Sequence, residues 1–264
     1  MSKLIKIIWS LFDSETAITQ QLNSEEYKVY SIGLPSSSAI TDNFIKIDLS
    51  KKSCIKKLSK LPNPDIIFAS PPCETWVTLS IGNVRFYKRN YNEYNLYWQK
   101  NFKANNYVKR HRELRLLGQK TAYWTAKIIK EFKPKYWFLE NGASSLIFKY
   151  LSKFHNLKGY RNSLEYSSYN GNFSKKPTII YSNKKLYLKK NNIKNNNLIS
   201  VSKAKMEYVR KNIDYKKLGY TSPNDYILKT KNVYLNYAER SAVPIELYDD
   251  ILFQLKHNLY PQLF

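Results

Sequence analysis

The stretch IIFASPPCETWVTLS, residues 66–80, decides how this chain is read. Ile66–Ala69 is apolar without alternation, the pattern of a strand buried on both faces of a parallel sheet. Pro71 and Pro72 then stop the run and deliver Cys73 just past its end. By itself Cys73 is either a small filler in a turn or a nucleophile held at the rim of a sheet.

Similar runs recur on both sides. LIKIIWSLF (4–12), YKVYSIGL (27–34) and NFIKIDLS (43–50) read as strands, with a helix expected at Thr16–Leu22. LRLLGQKTAYWTAKIIKEF (114–132) has helical periodicity, with Leu117, Ala122, Trp124, Ile128 and Ile129 available for a core stripe. Pro134 ends it and KYWFLENG (135–142) resumes as a strand. SSLIFKYLSKF (144–154) reads as a helix with a serine N-cap, NSLEYSSYN (162–170) and TIIYSN (178–183) as strands, and PIELYDDILFQLKHN (244–258) as a closing helix begun by Pro244. Strand and helix in alternation predict a doubly wound α/β sheet, whose functional groups gather at the carboxyl ends of the strands. SPPC and ENG both fall there.

With 264 residues and 43% apolar side chains, the chain can bury one good-sized core. Its apolar runs are too short for a membrane span, and MSKLIKIIWSLFD lacks the features of a signal peptide. Cys54 and Cys73, the only cysteines, suit a reducing cytosol, and His111, His155 and His257 lack metal-ligand spacing, so no metal is expected. A net charge of +24 calls for a polyanionic partner, and nucleic acid is the first choice.

The order of a strand ending in SPPC, a strand ending in EN, then KKPTIIYSN and a late SAVP resembles the DNA cytosine-5 methyltransferases, chiefly the short forms of phages and mobile elements. The resemblance runs from Leu11 to the last helix. It implies a Rossmann-like S-adenosylmethionine-dependent methyltransferase fold with a small irregular DNA-recognition lobe. Cys73 would be the thiolate that adds to C6 of cytosine, Glu140 the carboxyl that hydrogen-bonds ring N3, and Asn141 the residue that orients this corner. The target base would be flipped out of double-stranded DNA. For the cofactor, the resemblance implicates Phe12, Asp13, Ser14 and Thr16 after the first strand, Asp48 at the adenine, Pro71, and Ser241 and Ala242 in the closing segment. It departs from the family where Ser14 and Thr16 replace glycines, where Gly33 replaces the acid that ends the second strand, and where Glu74 follows the cysteine.

For DNA contact, the resemblance places Lys176, with Lys175, near the target base and its phosphate; a solvated basic turn is the other reading. Arg85, Lys88 and Arg89 lie among aromatics in a stretch (81–113) suited to phosphate contact and base stacking, or equally to an insertion that covers the core. The expected organisation is a catalytic domain at 1–183, a basic recognition lobe at 184–235 and a segment at 236–264 packing back on the catalytic domain. The expected protein is a cytoplasmic monomer of restriction-modification type, associated with the nucleoid of the host cell. A DNA-binding pseudoenzyme and an RNA cytosine-5 methyltransferase are the alternatives.

Overall fold

The computed structural model describes residues 5–13, 18–34, 44–73, 75–76, 105–169, 176–190, 210–223, 225–226 and 243–257, with side chains from residue 113 onward in the long helix. The described strands are β1 (Lys6–Leu11), β2 (Tyr27–Gly33), β3 (Phe44–Lys46), β4 (Ile66–Ala69), β5 (Tyr136–Gly142), β6 (Tyr160–Glu165) and β7 (Pro177–Ser182). They form one sheet in the order β3-β2-β1-β4-β5-β7-β6. The pairs β1/β2, β2/β3, β1/β4 and β4/β5 are parallel, and β5/β7 is antiparallel. This is the expected Rossmann-like, mostly parallel α/β architecture. The chain steps outward from β1 through β2 to β3, then returns to the other side of β1 with β4. The β1/β4 boundary is therefore the switch point, where ligands bind in sheets of this kind.

Four described helices cover the sheet: α1 (Ser53–Leu58), α2 (Asn105–Phe132), α3 (Ile147–His155) and α4 (Ile245–Lys256). Alternate strand residues enter two cores. Trp9, Leu11, Ile32, Ile67 and Leu139 join Leu58, Ala122, Ala126, Ile129 and Leu151 in one cluster. On the opposite face, Phe68 stacks on Phe138 with centroids 5.3 Å apart and meets Tyr248 of α4 edge-on at 4.7 Å. Each large apolar side chain removed from water in this way contributes about 1.5–3 kcal/mol.

Several elements differ from expectation. Only a 3-10 turn, Ile18–Leu22, is described where a helix at Thr16–Leu22 was expected. α1 was not anticipated; Cys54 and Leu58, four residues apart, are its buried face. α2 begins at Asn105, so the end of the 81–113 stretch is helix. Of the expected α2 stripe, Ala122, Ile128 and Ile129 are buried and Trp124 packs against the core, but Leu117 is 44% exposed; Thr121, Thr125 and Ala126 complete the buried face. α3 starts at Ile147, later than Ser144; the Ile147 N–H donates to the Ser145 hydroxyl at 3.3 Å. β6 ends at Glu165 and passes into a 3-10 turn, Tyr166–Ser168.

The chain divides into two compact units: Met1–Leu164 with Pro177–Leu188 and Tyr248–Phe264, and Glu165–Lys176 with Lys189–Leu247. In the second, the Lys176 ammonium lies 4.5 Å from the Tyr166 ring centroid, and the Lys189 N–H donates to the Tyr169 hydroxyl at 3.0 Å. No helix among the described residues is long and apolar enough to cross a membrane.

His155, at the end of α3, packs its ring against Tyr123 and Tyr150. Burial, then the charges of Lys130 and Lys127, hold its pKa below the ordinary 6.5. The unfolded chain therefore takes up this proton more readily, so stability is complete above about pH 6.5 and declines as pH falls below it. Thermal melts from about pH 7.5 down to about 5 should show this decline, and His155→Gln should flatten it.

Candidate active site

Register brings the two motifs together. Leu11 pairs with Ala69, and Ala69 with Leu139, so these residues form one row across β1, β4 and β5. Beyond this row, at the carboxyl rim, the chain continues as Phe12 after β1, Ser70 after β4 and Glu140 in β5. Parallel pairing thus brings to one edge residues that are far apart in the chain.

The Ser70 N–H donates to the Leu11 carbonyl at 3.2 Å, but prolines 71 and 72 have no N–H to donate, so the rest of the turn after β4 is held through carbonyls and packing. The Asn141 Nδ2 donates to the Pro71 carbonyl at 2.9 Å, and Asn141 is only 1% exposed. The Cys73 carbonyl accepts from the Trp76 N–H at 2.9 Å, and the Trp76 carbonyl accepts from the Leu146 N–H at 3.1 Å. The Trp76 ring is buried against Tyr150, centroids 4.9 Å apart. Cys73 and Glu140 are both half-buried. The other cysteine differs sharply: Cys54 is fully buried in α1, and burial pushes its thiol up to about 11. Of the two, Cys73 is the one a substrate can reach.

Tyr248, absent from the expected site, also reaches this rim. Its ring rests on Phe68, and its hydroxyl shares a hydrogen bond with Ser70. Burial, then the negative charges of Asp13 and Glu140, raise its pKa well above 10, with the Ser70 bond opposing. The phenol stays neutral, and the negative charges of Asp13, in the loop after β1, and Glu140, in β5, act on it together. The spacing of Leu247, Tyr248, Ile251, Leu252 and Leu255 marks Tyr248 as a core position of α4, but carries no sign of this role for its hydroxyl.

The loop after β1 is unusual. Phe12 has φ 61°, left-handed for a bulky residue, at a cost of roughly 1–2 kcal/mol. The next residue folds back over β2: the Asp13 N–H donates to the Ile32 carbonyl at 3.2 Å. Gly33 makes room for this, since a Cβ there would lie 2.5 Å from the Asp13 carbonyl oxygen. The missing acid at the end of β2 thus has a steric reason: Asp13 backbone stands where its side chain would begin. The Asp13 carboxylate accepts from the buried Thr19 hydroxyl, which in turn contacts Ser31.

Asp48 is engaged locally. Its Oδ1 accepts from the Ser50 N–H at 3.0 Å and the Ser50 hydroxyl at 2.6 Å, and Lys51 Nζ lies 3.3 Å from Oδ2. Burial raises its pKa, but these Ser50 and Lys51 interactions together hold the carboxyl below its ordinary value. Ser14, Thr16, Glu74, Arg85, Lys88, Arg89, Lys175, Ser241 and Ala242 lie outside the described residues. Among the described residues, no group of three or more His, Cys, Asp or Glu is arranged to hold a metal ion.

The chain matches no protein-family model and no curated protein. It is similar to solved structures that include a candidate DNA modification methyltransferase encoded within an Escherichia coli prophage, at 12% identity and a TM-score of 0.40, over 67% of this chain and 46% of that one. Another is a methyltransferase of Entamoeba histolytica, at 14% identity and a TM-score of 0.46, over 76% of this chain and 62% of that one. The chain thus spans less than two thirds of the length of either.

Because Gly33 faces backbone rather than a movable side chain, Gly33→Ala should displace the Asp13 loop and cost about 1–3 kcal/mol. Urea denaturation should show this as a lower midpoint with an unchanged slope.

Proposed function

We propose that the protein is an S-adenosylmethionine-dependent DNA cytosine-5 methyltransferase. The observation that carries this proposal is the Asn141–Pro71 hydrogen bond, which ties the EN motif of β5 to the SPPC turn of β4 across 70 positions of sequence. A half-buried thiol and a carboxyl at neighbouring strand ends suit the chemistry of the reaction. C5 of cytosine is a weak nucleophile until a thiolate adds to C6. Cys73 supplies that thiolate, and the Glu140 carboxyl, in its acid form once the base is bound, donates a hydrogen bond to ring N3, where negative charge collects as the adduct forms. C5 would then take the sulfonium methyl of bound S-adenosylmethionine, releasing the neutral thioether; loss of the C5 proton to water and elimination would then free the Cys73 thiolate.

The residues at the rim fit the charge of the cofactor, which supplies an electrophilic methyl group on a cationic sulfur when bound. In a chain of +24, Asp13 and Glu140 both bear on Tyr248 at the switch point, a local negative field suited to a cation. Asp13 and Ser70 would hold the cofactor there, with Phe12 beside it and Asp48 at the adenine end. The contacts at the ribose differ from the family pattern, because Gly33 carries no acid. Lys175, Lys176, Arg85, Lys88 and Arg89 are assigned to DNA, in keeping with the net charge. The proposed organisation remains a catalytic domain at 1–183, a recognition lobe at 184–235 and a returning segment at 236–264. The proposed protein acts as a cytoplasmic monomer on double-stranded DNA.

The altered Phe12–Thr16 loop and crowded Gly33 favour one competing reading, a DNA-binding pseudoenzyme with a remodelled cofactor site. Incubation with labelled S-adenosylmethionine and DNA containing 5-fluorocytosine separates the two. The enzyme should form a covalent adduct that Cys73→Ala abolishes, and Glu140→Gln should slow it by roughly 100- to 10,000-fold. Tight DNA binding without cofactor binding or adduct overturns the enzyme and leaves the pseudoenzyme. An adduct formed only with 5-fluorocytosine RNA would move the substrate to RNA.

A further inference from the structure

Gly118 lies inside the 28-residue helix α2, a position where glycine weakens a helix relative to alanine. The structure supplies a reason for glycine there. A Cβ at Gly118 would lie 2.1 Å from Thr75 Oγ1, 3.3 Å from Thr75 Cβ and 3.3 Å from Trp76 Nε1. The helix therefore presents bare backbone to the two residues that close the Cys73 turn. From the other side, the same turn is held by the Leu146 N–H and by Tyr150 of α3. The Cys73 carbonyl is bonded to the Trp76 N–H, so a shift of Thr75 and Trp76 is a shift of Cys73.

We infer that Gly118 and Thr75 are positioning residues for Cys73: the fit of the bare helix surface against Thr75 sets where the thiol stands relative to Glu140. The inference rests on the assignment of Cys73 as nucleophile. Cys73 is fixed in the sheet direction by Asn141 and in the helix direction by this contact. The contact is mutual, so a change on one side is matched by a compensating change on the other.

The test uses the full chain as Gly118→Ala, Thr75→Ala and the double variant. Two rates are measured: adduct formation with 5-fluorocytosine DNA, and iodoacetamide alkylation of Cys73 followed by peptide mass spectrometry, with buried Cys54 as internal control. S-adenosylmethionine affinity is measured by calorimetry. Gly118→Ala should slow adduct formation on the order of 100-fold, the effect of misplacing a reacting group by about an ångström. Cofactor affinity should hold, and the melting temperature reports the balance between alanine's gain in the helix and the crowding at Thr75. Thr75→Ala opens a gap and should also slow the adduct, which keeps the test intact should the helix variant misfold. The double variant refills the joint and should recover most of the rate.

Wild-type rates in Gly118→Ala, or a double variant as slow as its slower parent, would overturn the inference. A wild-type protein that forms no adduct would instead remove the methyltransferase reading. Alkylation then decides the joint alone: equal Cys73 rates in wild type and Gly118→Ala overturn it, and unequal rates restored in the double variant support it.

Discussion

The hydrogen bond from Asn141 to the Pro71 carbonyl is the constraint on which the rest of the site depends. Two consecutive prolines stiffen the SPPC turn and strip its middle of donors, so beyond the Ser70 N–H, which donates to the Leu11 carbonyl at 3.2 Å, it is pinned through an acceptor. A carbonyl is the handle that remains, and a buried amide from the neighbouring strand takes it. Both groups lie out of water, so removing the amide would leave an unmet acceptor at a cost of about 1–3 kcal/mol. The same residue follows Glu140 in β5, so the turn is anchored to the strand that carries the acid. Thiol and acid are held by one short piece of strand.

The electrostatic character of this rim runs against that of the chain. Lysines and arginines outnumber acids by 44 to 20, yet Asp13 and Glu140 converge on one buried tyrosine. A diffuse positive surface draws in a polyanion over distances comparable to the screening length. The negative charges of Asp13 and Glu140 at the strand ends act at short range. The two are compatible because they act at different ranges. The two cysteines show a similar division: Cys54 is sealed in the core with its thiol held protonated, and Cys73 is left half-buried at the rim.

Most of the sheet was legible because its strands are long apolar runs broken by proline or glycine. Ile66–Ala69, Lys6–Leu11 and Tyr136–Gly142 all fall where the pattern puts them. Helices were less legible where their buried faces are made of small or polar residues. Of the stripe read for α2, Ala122, Ile128 and Ile129 are buried and Trp124 packs against the core, whereas Leu117 is exposed and the buried Thr121, Thr125 and Ala126 gave no apolar signal. α1 is short and lysine-rich, so its two buried residues, Cys54 and Leu58, were too few to register as a period. Tyr248 was missed for a further reason: a tyrosine on a core stripe does not reveal what its hydroxyl meets.

The sequence by itself determined the order of the elements, the switch from apolar strand to SPPC turn, and the pairing of SPPC with EN as a candidate site. These are local properties: hydrophobic period, proline stops and residue chemistry are all written within a few positions. Only the tertiary structure decided which residues share the rim. It placed Ser70 between Phe12 and Glu140, brought Tyr248 to the two carboxylates, set Gly118 against Thr75, and filled the space above Gly33 with Asp13 backbone. Each depends on strand register or on the close approach of two backbones. Such contacts join residues tens to hundreds of positions apart, and a steric limit at a glycine exists only once the opposing chain is in place.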